Sequence, residues 1–250
     1  MLTRYLSQIF GVVLLAIIAP MSIAAHRPNI VIILADDLGY GSLNSYGADE
    51  AHIRTPNFDR LAQAGRRFTD ANTPSSVCSP TRYGLLTGRY DWRTDQKHGV
   101  LNTTDPLHIE TSRSTIASLL KSAGYRTAAI GKWHLGYGSE RHDFRKPLSP
   151  GPLDIGFDYH FAVPQNHGDA SGVYVRNRAV VGLRSDRTVA AGTSPYGREY
   201  MGIDAPQRVD VIVLDELTTD ATDWLERQSD DVPFLLYFTP VAIHVPYTPS

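Results

Sequence analysis

One run of residues narrows the folds open to this chain more than any other. Asn29 to Ala35 reads Asn-Ile-Val-Ile-Ile-Leu-Ala, continuous and β-branched, and it ends abruptly in Asp36-Asp37. A strand with one wet face alternates; an uninterrupted apolar strand belongs to a parallel sheet covered on both faces. The rest of the chain must then supply parallel partners and helical cover. Arg126 to Ile130 and Phe234 to Phe238 read as further strands expected in the same sheet. Thr55-Pro56 sets a cap with proline at the first helical position, placing Phe58, Leu61 and Ala62 on one helix face. Thr115 to Ser122 carries Ile116, Leu119 and Leu120 at helical spacing before Gly124, and Leu214, Leu217, Ala221, Trp224 and Leu225 form an amphipathic stripe. Val173 to Val175 and Ala179 to Val181 flank Arg176-Asn177-Arg178 as a small hairpin. Strand and helix in alternation predict an α/β fold, a largely parallel mixed sheet sandwiched by helices. Asp91 to Glu110 and Arg141 to Pro152 carry no period and read as long loops over the sheet edge where ligands enter.

Charge removes one class of function. With 24 Lys plus Arg against 26 Asp plus Glu, a net charge of -2 and no basic tract, nothing is present to neutralise a row of phosphates, so no nucleic-acid partner is expected. The first residues read as an address. Arg4 precedes an apolar run from Ile9 to Ala19, broken only by Gly11, and Ser22-Ile23-Ala24-Ala25 offers small residues for a peptidase. A signal peptide over residues 1–25 is expected, with the rest exported to the periplasm or medium. The run falls short of the roughly 20 apolar residues that cross a bilayer, so no stable membrane anchor is expected. The chain holds a single cysteine, Cys78. Unable to form an internal disulfide, it is an inert buried thiol, an intermolecular partner or a site of chemistry.

Its surroundings favour chemistry. In Cys78-Ser79-Pro80-Thr81-Arg82, Pro80 suits the first turn of a helix beginning just after Cys78, where the helix field favours negative charge. Arg82, four residues on, stands one turn below on the same face. Asp36 and Asp37 leave the end of a buried parallel strand, the edge where open α/β sheets place ligands. Adjacent carboxylates repel unless a cation lies between them, and hard oxygens suit Ca²⁺ or Mg²⁺. Lys132 and His134 lie two apart in an expected extended segment, projecting to one side with Trp133 on the other, as an anion clamp and a proton carrier. Taken alone, His134 also reads as a core histidine bonded to backbone. His244 leaves a strand in Val241-Ala242-Ile243-His244 and, taken alone, reads as a loop histidine.

Together these motifs resemble the sulfatase family of the arylsulfatase A type, with its alkaline phosphatase-like fold. The signature Cys-x-Pro-Ser/Thr-Arg followed by Leu-x-Thr-Gly-Arg is matched by Cys78 to Arg82 and Leu85 to Arg89. Pro28 to Gly39 is similar to the family's first strand and metal-binding turn, Thr55 to Ala62 to its next helix, Gly131-Lys132-Trp133-His134-Leu135-Gly136 to its second signature and Gly156-Phe157-Asp158 to a turn. The resemblance runs from about Arg27 to the last residue. It implies a sulfuric ester hydrolase. Cys78 would be converted by a maturation enzyme to formylglycine, whose hydrate is the nucleophile. Asp36, Asp37 and residue 78 would hold Ca²⁺ (Mg²⁺ being the alternative), while Arg82, Lys132 and His244 stabilise the sulfate and His134 holds or deprotonates the hydrate. Asn166, with His167 beside it, stands where relatives often carry a polar group reaching the sulfate. The family's Asp-Asn pair and further Lys lie beyond His244, so residues 26–250 are expected to be the N-terminal part of a catalytic domain. The substrate is a sulfate ester, aryl or carbohydrate. A phosphonate or phosphate ester hydrolase of the same superfamily, and a non-catalytic remnant, stay open as alternatives.

Overall fold

The computed structural model describes residues 27–245 and 247, apart from 97, 98, 167, 170 and 194–198. The expected signal peptide and His167 therefore lie outside the described residues.

Four apolar segments pair in parallel: β1 (Ile30–Ile33), β2 (Arg126–Lys132), β3 (Tyr159–Val163) and β8 (Phe234–Thr239). The short β4 (Val175–Arg176) and β5 (Ala179–Val180) extend the sheet antiparallel, turning on Asn177 at φ 55°, to give the order β1-β8-β2-β3-β4-β5. The three strands expected in one sheet are adjacent in it, and the mixed, mostly parallel architecture is as expected. Successive residues alternate between two cores. Ala129, Leu235 and Tyr237 pack with Tyr83 and Leu86 of α2 (Cys78–Thr87) and Ala117 of α3 (Ile116–Ser122). Ala128, Ile130 and Leu236 pack on the other face with Val213, Leu217, Ala221 and Trp224 of α4 (Val213–Glu226). Thr115 opens α3 through a reciprocal capping box with Ser118.

One expectation needs correction. β1 is not covered on both faces: Val31 is 49% and Ile33 51% exposed. It is the sheet's edge, and a continuous apolar run does not distinguish an edge from the centre. The helix α1 (Pro56–Ala64) forms as expected, with Phe58 42% and Leu61 67% exposed. A separate antiparallel pair, β6 (Ser185–Thr193) with β7 (Glu199–Asp204), was not anticipated, because its first strand mixes small and polar residues without alternation and its register shifts twice.

Candidate active site

The C-terminal ends of β1, β8 and β2 meet at one edge, with Ile33 and Ile130 both opposite Phe238 and Gly131 opposite Thr239. Asp36 lies just past that edge. Its N–H donates to the Ala242 carbonyl at 2.9 Å and its own carbonyl accepts from Ile243 N–H at 2.7 Å, so the chain leaving β8 fixes it from both sides. The carboxylate is buried, pairs with Lys132 Nζ through Oδ2, and lies 3.6 Å from Arg82 Nη2 through Oδ1. Burial alone would raise the Asp36 carboxyl, but Lys132 and Arg82 outweigh it and hold the group below its ordinary value.

The two cations are themselves anchored. Lys132, the last residue of β2, is fully buried, and its carbonyl accepts Arg82 Nη1 at 2.6 Å and Thr239 Oγ1 at 2.7 Å. Close approach of β8 makes Gly131 obligatory. It sits at φ +123°, and a Cβ there would meet the Thr239 carbonyl oxygen at 2.1 Å. Cys78 is the first residue of α2, partly buried, with Sγ 3.2 Å from Lys132 Nζ. Burial pushes its thiol up; Lys132 opposes that and Asp36 adds to it, so the unmodified side chain is a protonated thiol at neutral pH. Arg82, one turn on, faces the same cluster as expected.

His134 departs from the extended geometry read from Lys132-Trp133-His134. Strand β2 ends at Lys132 and His134 takes a left-handed φ of 52°, so simple alternation does not orient it. It is instead held in a closed ring of bonds. Its Nε2 donates to the Leu101 carbonyl at 2.9 Å, Leu101 N–H donates to Ser79 Oγ at 3.1 Å, and Ser79 Oγ donates to the His134 carbonyl at 2.8 Å. Nδ1 is buried with no partner among the described residues. Burial first, then Lys132, pushes His134 down to about 3, so it is neutral at physiological pH. Ser79 and Leu101 carry no motif signal of their own; Leu101 comes from the aperiodic loop 91–110, which does reach the site as expected.

The rim is looser. Asp37 has φ 59° and a half-exposed side chain, 3.7 Å from His244 Nε2 through Oδ2. His244 Nδ1 donates to the Val245 carbonyl at 2.5 Å. Asp36, Cys78 and His244 each offer a ligand atom, all within 4.8 Å of one another, whereas Asp37 is outside that group. The acidic donors fit a hard divalent ion; a thiol suits it poorly and an oxygen at position 78 would suit it well. The half-buried Asn166 donates its N–H to Asp169 Oδ2 at 3.2 Å, and its buried Oδ1 has no partner among the described residues.

The Sulfatase family profile matches residues 28–250. The chain belongs to the sulfatase family. An N-acetylgalactosamine-6-O-sulfatase of Bacteroides thetaiotaomicron is 34% identical over 90% of this chain and 50% of that protein. Human arylsulfatase A is 42% identical over 62% of this chain and 28% of that protein. A solved structure described under glycosaminoglycan metabolism by B. thetaiotaomicron superposes with a TM-score of 0.81 at 32% identity, covering 90% of this chain and 53% of that one. The chain spans about half the length of the first of these sulfatases.

Proposed function

We propose that this sulfatase chain forms the N-terminal part of a catalytic domain, residues 26–250, that hydrolyses sulfate esters at Cys78. The observation carrying this is the convergence of Cys78, Arg82 and Lys132 on Asp36 at the carboxyl edge of a parallel sheet. Converted to formylglycine by an oxidising maturation enzyme and then hydrated by water, residue 78 carries a geminal diol, one hydroxyl to attack sulfur with departure of the alcohol and a second to lose its proton, expel sulfate and restore the aldehyde. Asp36, Asp37 and residue 78 would hold Ca²⁺, which supplies charge to the sulfate oxygens.

The chain's own groups do the rest. Lys132, fixed against Asp36, directs positive charge at the group borne by residue 78, and Arg82 adds a planar donor one helical turn away. His134, neutral and with a free Nδ1, accepts a hydrogen bond and so orients the hydrate. His244 sits beside Asp36 and residue 78 where a proton or a sulfate oxygen can be met. The substrate reading is a sulfated carbohydrate, supported by likeness to the N-acetylgalactosamine-6-O-sulfatase. A signal peptide over residues 1–25 and export complete the proposal.

Mass spectrometry of the tryptic peptide Phe68 to Arg82 from native protein, with carbonyl-specific labelling, tests it. An aldehyde at position 78 is expected. A thiol that alkylates quantitatively in protein that still turns over sulfate esters rules the mechanism out. Faster hydrolysis of a nitrophenyl phosphonate than of a nitrophenyl sulfate would transfer the chemistry to phosphorus.

A further inference from the structure

The loop after β3 bears on His134 without carrying any of the family signatures. Gln165 Nε2 donates to the Leu101 carbonyl at 3.0 Å, the oxygen that His134 Nε2 also uses, while Gln165 Oε1 accepts from Thr103 Oγ1 at 2.7 Å. Leu101 lies in a loop without regular structure, so the aim of its carbonyl depends on what donates to it. Gln165 is itself braced. Its N–H donates to Asp169 Oδ2 at 3.1 Å, the residue before it accepts His134 N–H at 2.9 Å through the Pro164 carbonyl, and Asp169 also receives Ser171 N–H at 2.8 Å. Asp169 is paired with Arg208 at 3.2 Å, the two side chains 0% and 1% exposed, and Arg208 Nη1 donates to the Val173 carbonyl at 2.9 Å. A buried ion pair removed from the reacting groups is costly to maintain unless its geometry serves something. Here it fixes the segment that presents Gln165.

We propose that Gln165 is a positioning residue that, by sharing the Leu101 carbonyl, holds His134 as the Nε2–H tautomer with Nδ1 free as an acceptor. The bond made by one imidazole nitrogen decides what the other can do. A carbonyl only accepts, so Nε2 must carry the hydrogen, and Gln165 together with Ser79 keeps that carbonyl in place. Its part in turnover rests on the sulfatase reading; the tautomer lock does not.

Imidazole ¹⁵N NMR of the histidine-labelled chain tests the lock, with the His134 signals assigned by their loss in His134→Gln. In the wild type Nε2 should be protonated and Nδ1 bare. Gln165→Glu places a carboxylate against the Leu101 carbonyl and should shift His134 toward mixed tautomers at pH 7. As the pH falls and the new glutamic acid takes a proton, it can donate again and the wild-type pattern should return; His134, held near 3, stays neutral through that window. Gln165→Met, lacking the donor, should show the mixed pattern at every pH. In the catalytically complete protein, Gln165→Glu should lower kcat roughly tenfold with KM within about twofold. A His134 spectrum unchanged in both variants, or a disturbance in Gln165→Glu that ignores pH, overturns the proposal. The expected spectra in an enzyme without sulfate turnover would support the lock and count against the sulfatase reading.

Discussion

The inner and outer halves of the site are built on different principles. Inside, Asp36, Lys132 and Arg82 are all buried; the Asp36 carboxylate pairs with Lys132 and lies 3.6 Å from Arg82, and the Lys132 carbonyl at the end of β2 accepts from Arg82 and from Thr239 at the end of β8. Outside, Asp37 and His244 share one contact of 3.7 Å, and the Asp37 side chain is 52% exposed. Removing a partner from a buried cluster leaves an uncompensated charge, whereas a solvated pair is screened and worth little. The inner triad thus couples the integrity of the sheet to the charge pattern of the site. The outer pair is free to adjust to what it binds.

This contrast can be broken by experiment. Lys132→Met should cost roughly 3–5 kcal/mol in denaturant unfolding, because Asp36 stays buried with only Arg82 beside it. A cost below about 1 kcal/mol would show that the triad is not coupled to the fold. Arg82→Lys keeps the charge but loses the fork to the Lys132 carbonyl, and should cost about 1.5–3 kcal/mol along with turnover. Unchanged unfolding with lost turnover would assign Arg82 to substrate alone.

Acid provides a third probe. His134 is pushed down to about 3 by burial and Lys132, and His160 to about 3 by burial. The unfolded chain binds these protons near 6.5 and the folded chain does not. Stability should therefore be full above about pH 6.5 and fall as the pH drops toward 3, by at most about 1.4 kcal/mol per pH unit for each histidine. His134→Gln should flatten that slope in equilibrium unfolding followed against pH; an unaltered slope would mean that His134 is solvated. Asp37→Asn carries the smallest effect, less than about 1 kcal/mol without metal. In calcium titration of the catalytically complete protein it should nonetheless weaken binding, and undiminished affinity would remove Asp37 from the ligand set.

Much of the inner half was legible in the sequence. Spacing alone put Arg82 one turn from Cys78, and the apolar run before Asp36 placed that carboxylate at a sheet edge. Lys132 was singled out by its place two residues before His134 in a segment expected to be extended, and β2 does run on through it. What stayed hidden depends on contacts distant in sequence. Ser79, Leu101 and Gln165 meet around His134 from a helix, an aperiodic loop and a post-strand loop, and no period records such a meeting. The left-handed turn at His134 is held by bonds from its N–H to Pro164 and from its Nε2 to Leu101, both distant in sequence. The open face of β1 was misread for another reason: patterning reports that a face is apolar, not that something in the described residues covers it.

The half-bare edge strand Ile30–Ile33 has a consequence for handling the protein. Among the described residues nothing pairs with its outer side, and its four residues are all β-branched and uncharged. Such an edge is a template for a strand from any neighbouring molecule, which is how sheets grow into aggregates. The solubility of this chain at high concentration therefore depends on what shields those few backbone amides, and a lysine in place of Val31 is the smallest gatekeeper that would protect them.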